Sequence, residues 1–190
     1  HAQRAEVLTF NSGGSGARPS LDGMNATAFP SGVMTMPVEA TEQVGPVLIW
    51  RKELRPDSGG AGRHRGGLGQ YMEVGAQDGY EFDIQAMFDR VSHPANGRQG
   101  GSSGGATTIA LDDGTAMQGK GKQFVPHGKK VMMAFPGGGG YGPASERPTA
   151  DILKDLAGGY ITAEAAEKIY GLAPQQIADI LARAKNGEAF

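Results

Sequence analysis

The sequence predicts an α+β fold, with a strand-rich, glycine-looped body over residues 1–143 and a small helical tail over 144–190 packed on that body. Three observations carry this reading. Apolar and polar residues alternate at period two from Tyr80 to Arg90. Glycine runs punctuate the apolar segments. Beyond Pro143, three helix start and stop patterns follow one another.

In chain order, Glu6 to Phe10 reads as a short strand entering a turn at Gly13-Gly14-Ser15-Gly16. The stretch from Leu21 to Pro37 is irregular, with Pro30 and Pro37 as breakers. Val47 to Trp50 opens a strand that continues to Leu54 and stops at Pro56. Leu68 to Ala76 is a further strand, and Asp78-Gly79 is a hairpin signal leading into the next. In that next strand Phe82, Ile84, Ala86 and Phe88 alternate with Glu81, Asp83, Gln85 and Met87. A glycine-rich loop spans Asn96 to Gly105. Thr107 to Leu111 is a short strand turning at Asp113-Gly114, and Val131 to Phe135 is a buried strand ending at Pro136. In the tail, Thr149 is the expected cap of a helix carrying Ile152, Leu153 and Leu156. Thr162 caps a second, with Ala165, Ala166, Ile169 and Tyr170 inward. Pro174 opens a third, with Ile177, Ile180 and Leu181 on one face. Gly158-Gly159, Gly171 and Gly187 are the stops.

Composition narrows the function. Glycine makes up 32 of 190 residues, more than twice the roughly 7% that is usual. With 38% hydrophobic residues in discrete segments, these glycines read as tight turns and close backbone approaches in a folded body rather than as disorder. Lys and Arg number 18 against 20 Asp and Glu, with no basic stripe of the kind nucleic acid requires. There are no cysteines, which fits a cytoplasmic location and excludes disulfides and thiolate metal sites. No run approaches the roughly 20 apolar residues of a membrane span.

Few motifs carry chemistry. Gly114 to Lys120 matches the opening of a phosphate loop, but Gly121 stands where Ser or Thr would hold magnesium, and no helix is expected to begin there. His1, His64, His93 and His127 lack metal-ligand spacing. No nucleophile elbow is present, and Ser15 has no recognisable base. The loop from Glu53 to Gly69 is the most informative segment. Asp57 and Ser58 can bond nearby backbone amides, and Arg55, Arg63 and Arg65 offer bidentate donors around His64. Two arrangements fit. An internal pair between Asp57 and one of these arginines would clasp the loop. Alternatively, the arginines face an anion or a partner subunit. The internal pair is the expected one, because it satisfies both charges locally.

Several strings, taken together, resemble the hydantoinase B/5-oxoprolinase family. They are Gly13 to Pro19 with Asp22-Gly23, Glu53 to Arg63 with Arg65 to Gly69, and Asp89-Arg90 with Asn96-Gly97 and Gly100-Gly101. Pro136 to Gly142 follows, and then a tail match through Arg147-Pro148, Asp155, Gly158 to Thr162, Ala165 and Tyr170-Gly171. The resemblance implies a subunit of an ATP-dependent amidohydrolase that opens cyclic amides such as N-methylhydantoin or 5-oxoproline. A related ATP-dependent ketone carboxylase and a non-catalytic scaffold or interface module are the alternatives. It also implies a hydantoinase A-like partner subunit that handles nucleotide, with ATP and a divalent metal serving the complete complex and no cofactor or metal bound by this chain. The chain begins at His1 and is read as the C-terminal part of a longer subunit, whose N-terminal part would be its other partner. Asp57, Arg63 and Arg65 are the candidate catalytic residues, and Arg18, Arg55 and His64 the candidate contacts to substrate or an anion.

Overall fold

A computed structural model describes residues 6–28, 32–34 and 36–187. In chain order it contains α1 (Val38–Val44), β1 (Val47–Leu54), β2 (Gln70–Ala76), β3 (Phe82–Met87), β4 (Thr108–Leu111), β5 (Lys120–Val125) and β6 (Val131–Ala134). A 3-10 turn (Ala144–Glu146) then leads to α2 (Thr149–Ala157), α3 (Ala163–Lys168) and α4 (Pro174–Lys185). The class is α+β, as the patterning predicts.

Four strands form an antiparallel sheet in the order β1-β2-β6-β4, and β3 pairs with β5 in a separate antiparallel ribbon. Alternation along β3 sends Phe82, Ile84 and Ala86 inward and leaves Asp83, Gln85 and Met87 exposed. The ribbon packs on the sheet through Val125, Met72, Ile109, Val131, Met133 and Phe135. Each such side chain, fully buried, stabilises the fold by about 1.5–3 kcal/mol.

The Asp78-Gly79 signal makes a turn, with Gly79 at φ +85°, but not the expected hairpin. Both edges of β2 are taken, by β1 and β6, so the chain leaves the sheet and β3 finds β5 instead. β5 is not anticipated by the sequence reading, because Lys-Gly-Lys-Gln-Phe-Val lacks alternation and buries only Val125. Nor is α1, a single short helix whose Glu42 carboxylate accepts the Ile49 N–H at 2.8 Å on the outer side of β1. Residues 6–10 are irregular rather than a strand, and Leu8 and Phe10 are exposed. The expected breaker Pro30, and His1, lie outside the described residues.

The glycine runs are not chiefly turns. Gly13–Gly16, Gly59-Gly60, Gly66-Gly67, Gly101–Gly105 and Gly137–Gly140 lie side by side and exchange backbone hydrogen bonds. Gly60 donates to Gly138, Gly138 to Gly67, Gly67 to Ser15, Ala17 to Gly139 and Gly140 to Ser102, all at 2.8–2.9 Å. None of these runs' central glycines sits at positive φ; what they lack is room. A Cβ on Gly137 would collide with the Ser58 carbonyl, one on Gly138 with that of Ser15, and one on Gly140 with that of Ala61. The 137–140 segment therefore forms the axis of a backbone-packed core. Buried amides need partners, and the neighbouring runs supply them to Gly137, Gly138 and Gly140 through Gly105, Gly67 and Ser102.

The tail has its own apolar cluster, built from Ile152, Leu156, Ile161, Ala165, Ala166, Leu172, Ile177 and Ile180. Thr162 caps α3, its hydroxyl accepting from the Ala165 N–H at 3.2 Å, and Pro174 is the first residue of α4. Two expectations are corrected. Pro148, not Thr149, precedes α2, and no side chain caps that helix. Ile169 follows the last turn of α3 and is half exposed, while Leu172 fills the interior position instead. Gly159, Gly171 and Gly187 close the helices at φ +68°, +70° and +76°. Among the described residues no helix is long and apolar enough to cross a membrane.

Candidate functional site

The loop between β1 and β2 starts with a local lock. The Ser58 hydroxyl donates to the Arg55 carbonyl at 2.6 Å and accepts from the Gly69 N–H at 2.9 Å, which pinches the loop's ends together. Asp57 adopts φ +59°, a conformation that Asp tolerates better than most residues, and this turns its carboxylate outward. There it accepts the Thr162 N–H at 2.9 Å, while its own N–H donates to the Tyr160 carbonyl at 3.1 Å. The expected internal Asp57–arginine pair does not form. Asp57 faces the tail, and its loop arginines turn to other partners.

Those partners differ for each arginine. Arg55 donates to the carbonyls of Ala106 (2.7 Å) and Phe135 (3.2 Å). Arg63 reaches the Pro19 carbonyl at 3.2 Å and lies 3.7 Å from the exposed Glu146 carboxylate. Arg18 is exposed and engages Leu21 through its backbone. Arg65 is buried, 3% exposed. It grips Asp155 through Nε (3.0 Å) and Nη2 (3.3 Å), donates to the Gly66 carbonyl at 2.7 Å, and stacks 5.3 Å from the Tyr160 ring centre.

Arg65 is thereby one corner of a four-membered ionic cluster. Arg147, also buried, holds Asp22 in a two-pronged contact (2.9 and 2.6 Å), Asp155 at 2.7 Å and the Arg63 carbonyl at 3.1 Å. The Arg65 N–H donates to Asp22 at 2.8 Å, and His64 Nδ1 lies 3.7 Å from the same carboxylate. Burial pushes the Asp22 carboxyl up. The hydrogen bond and charge of Arg147, with the Arg65 backbone N–H, outweigh that and hold it below its ordinary value. The Tyr170 hydroxyl beside the cluster is raised by its burial, with the Arg147 charge opposing.

Two guanidinium groups face two carboxylates, so the cluster is formally neutral, and among the described residues only the buried Arg147 Nε of the two guanidinium groups lacks a hydrogen-bond partner. The cluster is built to join segments. Asp22 comes from the N-terminal loop, Arg65 from the glycine loop, and Arg147 and Asp155 from the tail. The loop's candidate residues thus separate: Arg65 and His64 meet at this junction, while Asp57, Arg55, Arg63 and Arg18 do not converge on one point. Asp22, Arg147 and Asp155 lie within the strings that carry the family resemblance, but nothing in the sequence around them marks them as a cluster. Their separations of 125 and 90 residues from their partners carry no local signal.

Elsewhere, the Gly114–Gly121 stretch forms a turn and the first residues of β5, and Lys120 pairs with Asp89 at 2.8 Å. No helix starts there to receive a phosphate. Among the described residues no three His, Asp or Glu side chains converge as a metal site would require.

The Hydantoinase B/oxoprolinase family model matches residues 1–144. Caprolactamase subunit beta of Pseudomonas jessenii is 32% identical over 87% of this chain and 30% of its own length. The acetophenone carboxylase delta subunit of Aromatoleum aromaticum is 28% identical over 87% of this chain and 30% of its own. The crystal structure of the ATP-dependent caprolactamase from Pseudomonas jessenii superposes on 92% of this chain with a TM-score of 0.70 and 27% identity, covering 33% of that chain. Acetone carboxylase shares the fold at a TM-score of 0.64 and 15% identity. The chain spans about a third of the length of these relatives. The family model covers more than half of the chain, and so the chain belongs to the hydantoinase B/oxoprolinase family.

Proposed function

We propose that this chain is the C-terminal part of a cytoplasmic hydantoinase B-like subunit, working with a hydantoinase A-like partner in an ATP-dependent hydrolase of cyclic amides. The observation that carries this reading is the agreement of sequence and fold with one relative, a caprolactamase. In the proposed reaction one water adds to the ring carbonyl and the C–N bond breaks to leave an open-chain amino acid (N-carbamoylated when the ring is a hydantoin), while a second water is consumed as ATP is hydrolysed to ADP and phosphate. ATP and a divalent metal belong to the complete complex.

The contribution of this chain is mechanical. Its glycine core is too tightly packed to yield, and the Asp22–Arg147–Asp155–Arg65 cluster fixes the tail against it. Together they make a rigid wall on which the reacting part of the subunit can be positioned. A second reading, carboxylation of a small ketone, has specific support in the acetophenone carboxylase relative.

One substrate panel separates the two. The complete subunit with its A-type partner is incubated with ATP and caprolactam, 5-oxoproline or a hydantoin, and in parallel with bicarbonate and a ketone. Ring-opened product formed without bicarbonate supports the hydrolase. Bicarbonate-dependent consumption of ketone, with every cyclic amide left intact, supports the carboxylase.

A further inference from the structure

One surface is left unexplained by the fold and the ionic junction. Leu8, Phe10, Met34 and Met36 line a single groove whose floor includes Met72 of β2 and whose wall carries Lys52 of β1. Three of the four rim residues are strongly exposed: Leu8 at 71%, Phe10 at 68% and Met34 at 89%. Isolated apolar residues on a surface are ordinary, but a contiguous cluster of this kind marks an interface. Methionines suit such a seat because their unbranched, polarizable side chains adapt to the partner. Lys52 adds direction. Its ammonium sits among these apolar side chains with a 3.4 Å contact to the Met36 carbonyl, and no carboxylate of the described residues pairs with it. The family relatives say what is available to cover the groove. Nearly all of this chain matches about a third of them, so roughly two thirds of such a subunit lies outside the matched part and is available to pack on it.

We propose that this groove seats the part of the B-type subunit lying outside these 190 residues, through an apolar segment that brings a carboxylate to Lys52. The inference rests on the family reading above but not on which reaction the family member catalyses. Burial lowers the Lys52 pKa, the direction expected for a partly desolvated ammonium.

The test produces the chain together with the complementary part of a B-type family subunit as a separate polypeptide. A benzophenone side chain at position 34 reports contact, and affinity is measured by titration. The expected result is a one-to-one complex, a crosslink from position 34 into the complement, and affinity lowered about tenfold or more by Phe10→Ser, Met34→Asp and Lys52→Glu. Lys52→Arg should keep most of the affinity. Met87→Asp, on the exposed face of β3, should leave it unchanged. Matching thermal midpoints of the free variants keep folding out of the comparison. The proposal is overturned by absence of a complex, by a complex indifferent to the groove variants, or by crosslinks only between copies of this chain. A complex that is sensitive to the groove but opens no cyclic amide leaves this interface standing and removes the hydrolase reading instead.

Discussion

Asp155 neutralises two guanidinium groups that are 3% and 5% exposed. Asp155→Asn keeps the shape and removes the charge, leaving Arg65 and Arg147 with a single carboxylate between them. Loss of a buried partner of this kind costs about 3–5 kcal/mol, to be read from the denaturant midpoint. Asp57→Asn is the contrasting change. Asn keeps an oxygen for the Thr162 N–H and tolerates the positive φ, so this exposed site should lose no more than about 1 kcal/mol. pH tests the same cluster. The folded-state pKa of Asp22 is depressed, so its contribution is present above the ordinary value of 3.8 and is lost as pH falls through the lower folded value. The Tyr170 pKa is raised, so its contribution is present below 10.0 and is lost as pH rises through the higher folded value. The protection of amides 152–181, taken as the exchange rate relative to the unfolded chain at the same pH, should therefore hold between about pH 4 and 10 and fall outside that window. Protection that does not change across that range and beyond would remove the cluster's role. At this scale the sequence was readable only in part. Ser58 and Thr162 bond their neighbours, as short-range chemistry suggests. The partners of Arg65 lie up to 90 residues away, where no spacing rule reaches.

At the scale of elements, legibility followed the locality of the signal. Period-two alternation located β3, and Pro174, Thr162 and the three closing glycines located the helices, because each signal is written within one turn or one strand. Pairing was not legible. The Asp78-Gly79 turn looks like a hairpin until β6, more than 50 residues downstream, takes the free edge of β2. Strand β5 is held by a partner and by a Gln118–Gln123 side-chain bridge (both contacts 2.7 Å) rather than by its own pattern. The glycine runs are close approaches and not chiefly turns, a distinction that composition alone cannot make because it does not separate a lack of space from a need for positive φ. Two substitutions separate them. Gly138→Ala drives a Cβ into the Ser15 carbonyl, a backbone atom with nowhere to move, and should cost at least about 3 kcal/mol. Gly128→Ala meets nothing within 4 Å but sits at φ +75°, and should cost about 1–2 kcal/mol. Equal midpoints for the two variants would mean that the runs do not pack as a core.

For the whole molecule, the three kinds of cohesion are spatially separate: an apolar sheet core, an apolar tail core, and between them a backbone-packed glycine axis with an ionic clasp. Family relatives are about three times as long, and under the proposed function catalysis is a property of the assembly. The most direct test is turnover, measured side by side for the purified 190-residue chain and for the complete B-type subunit with its A-type partner, each with ATP, magnesium and a cyclic amide. ADP and ring-opened product should form in the assembled sample, with none above background from the chain alone. Steady amide opening by the isolated chain, or an assembled complex that spends ATP without touching any cyclic amide, would contradict the proposed role.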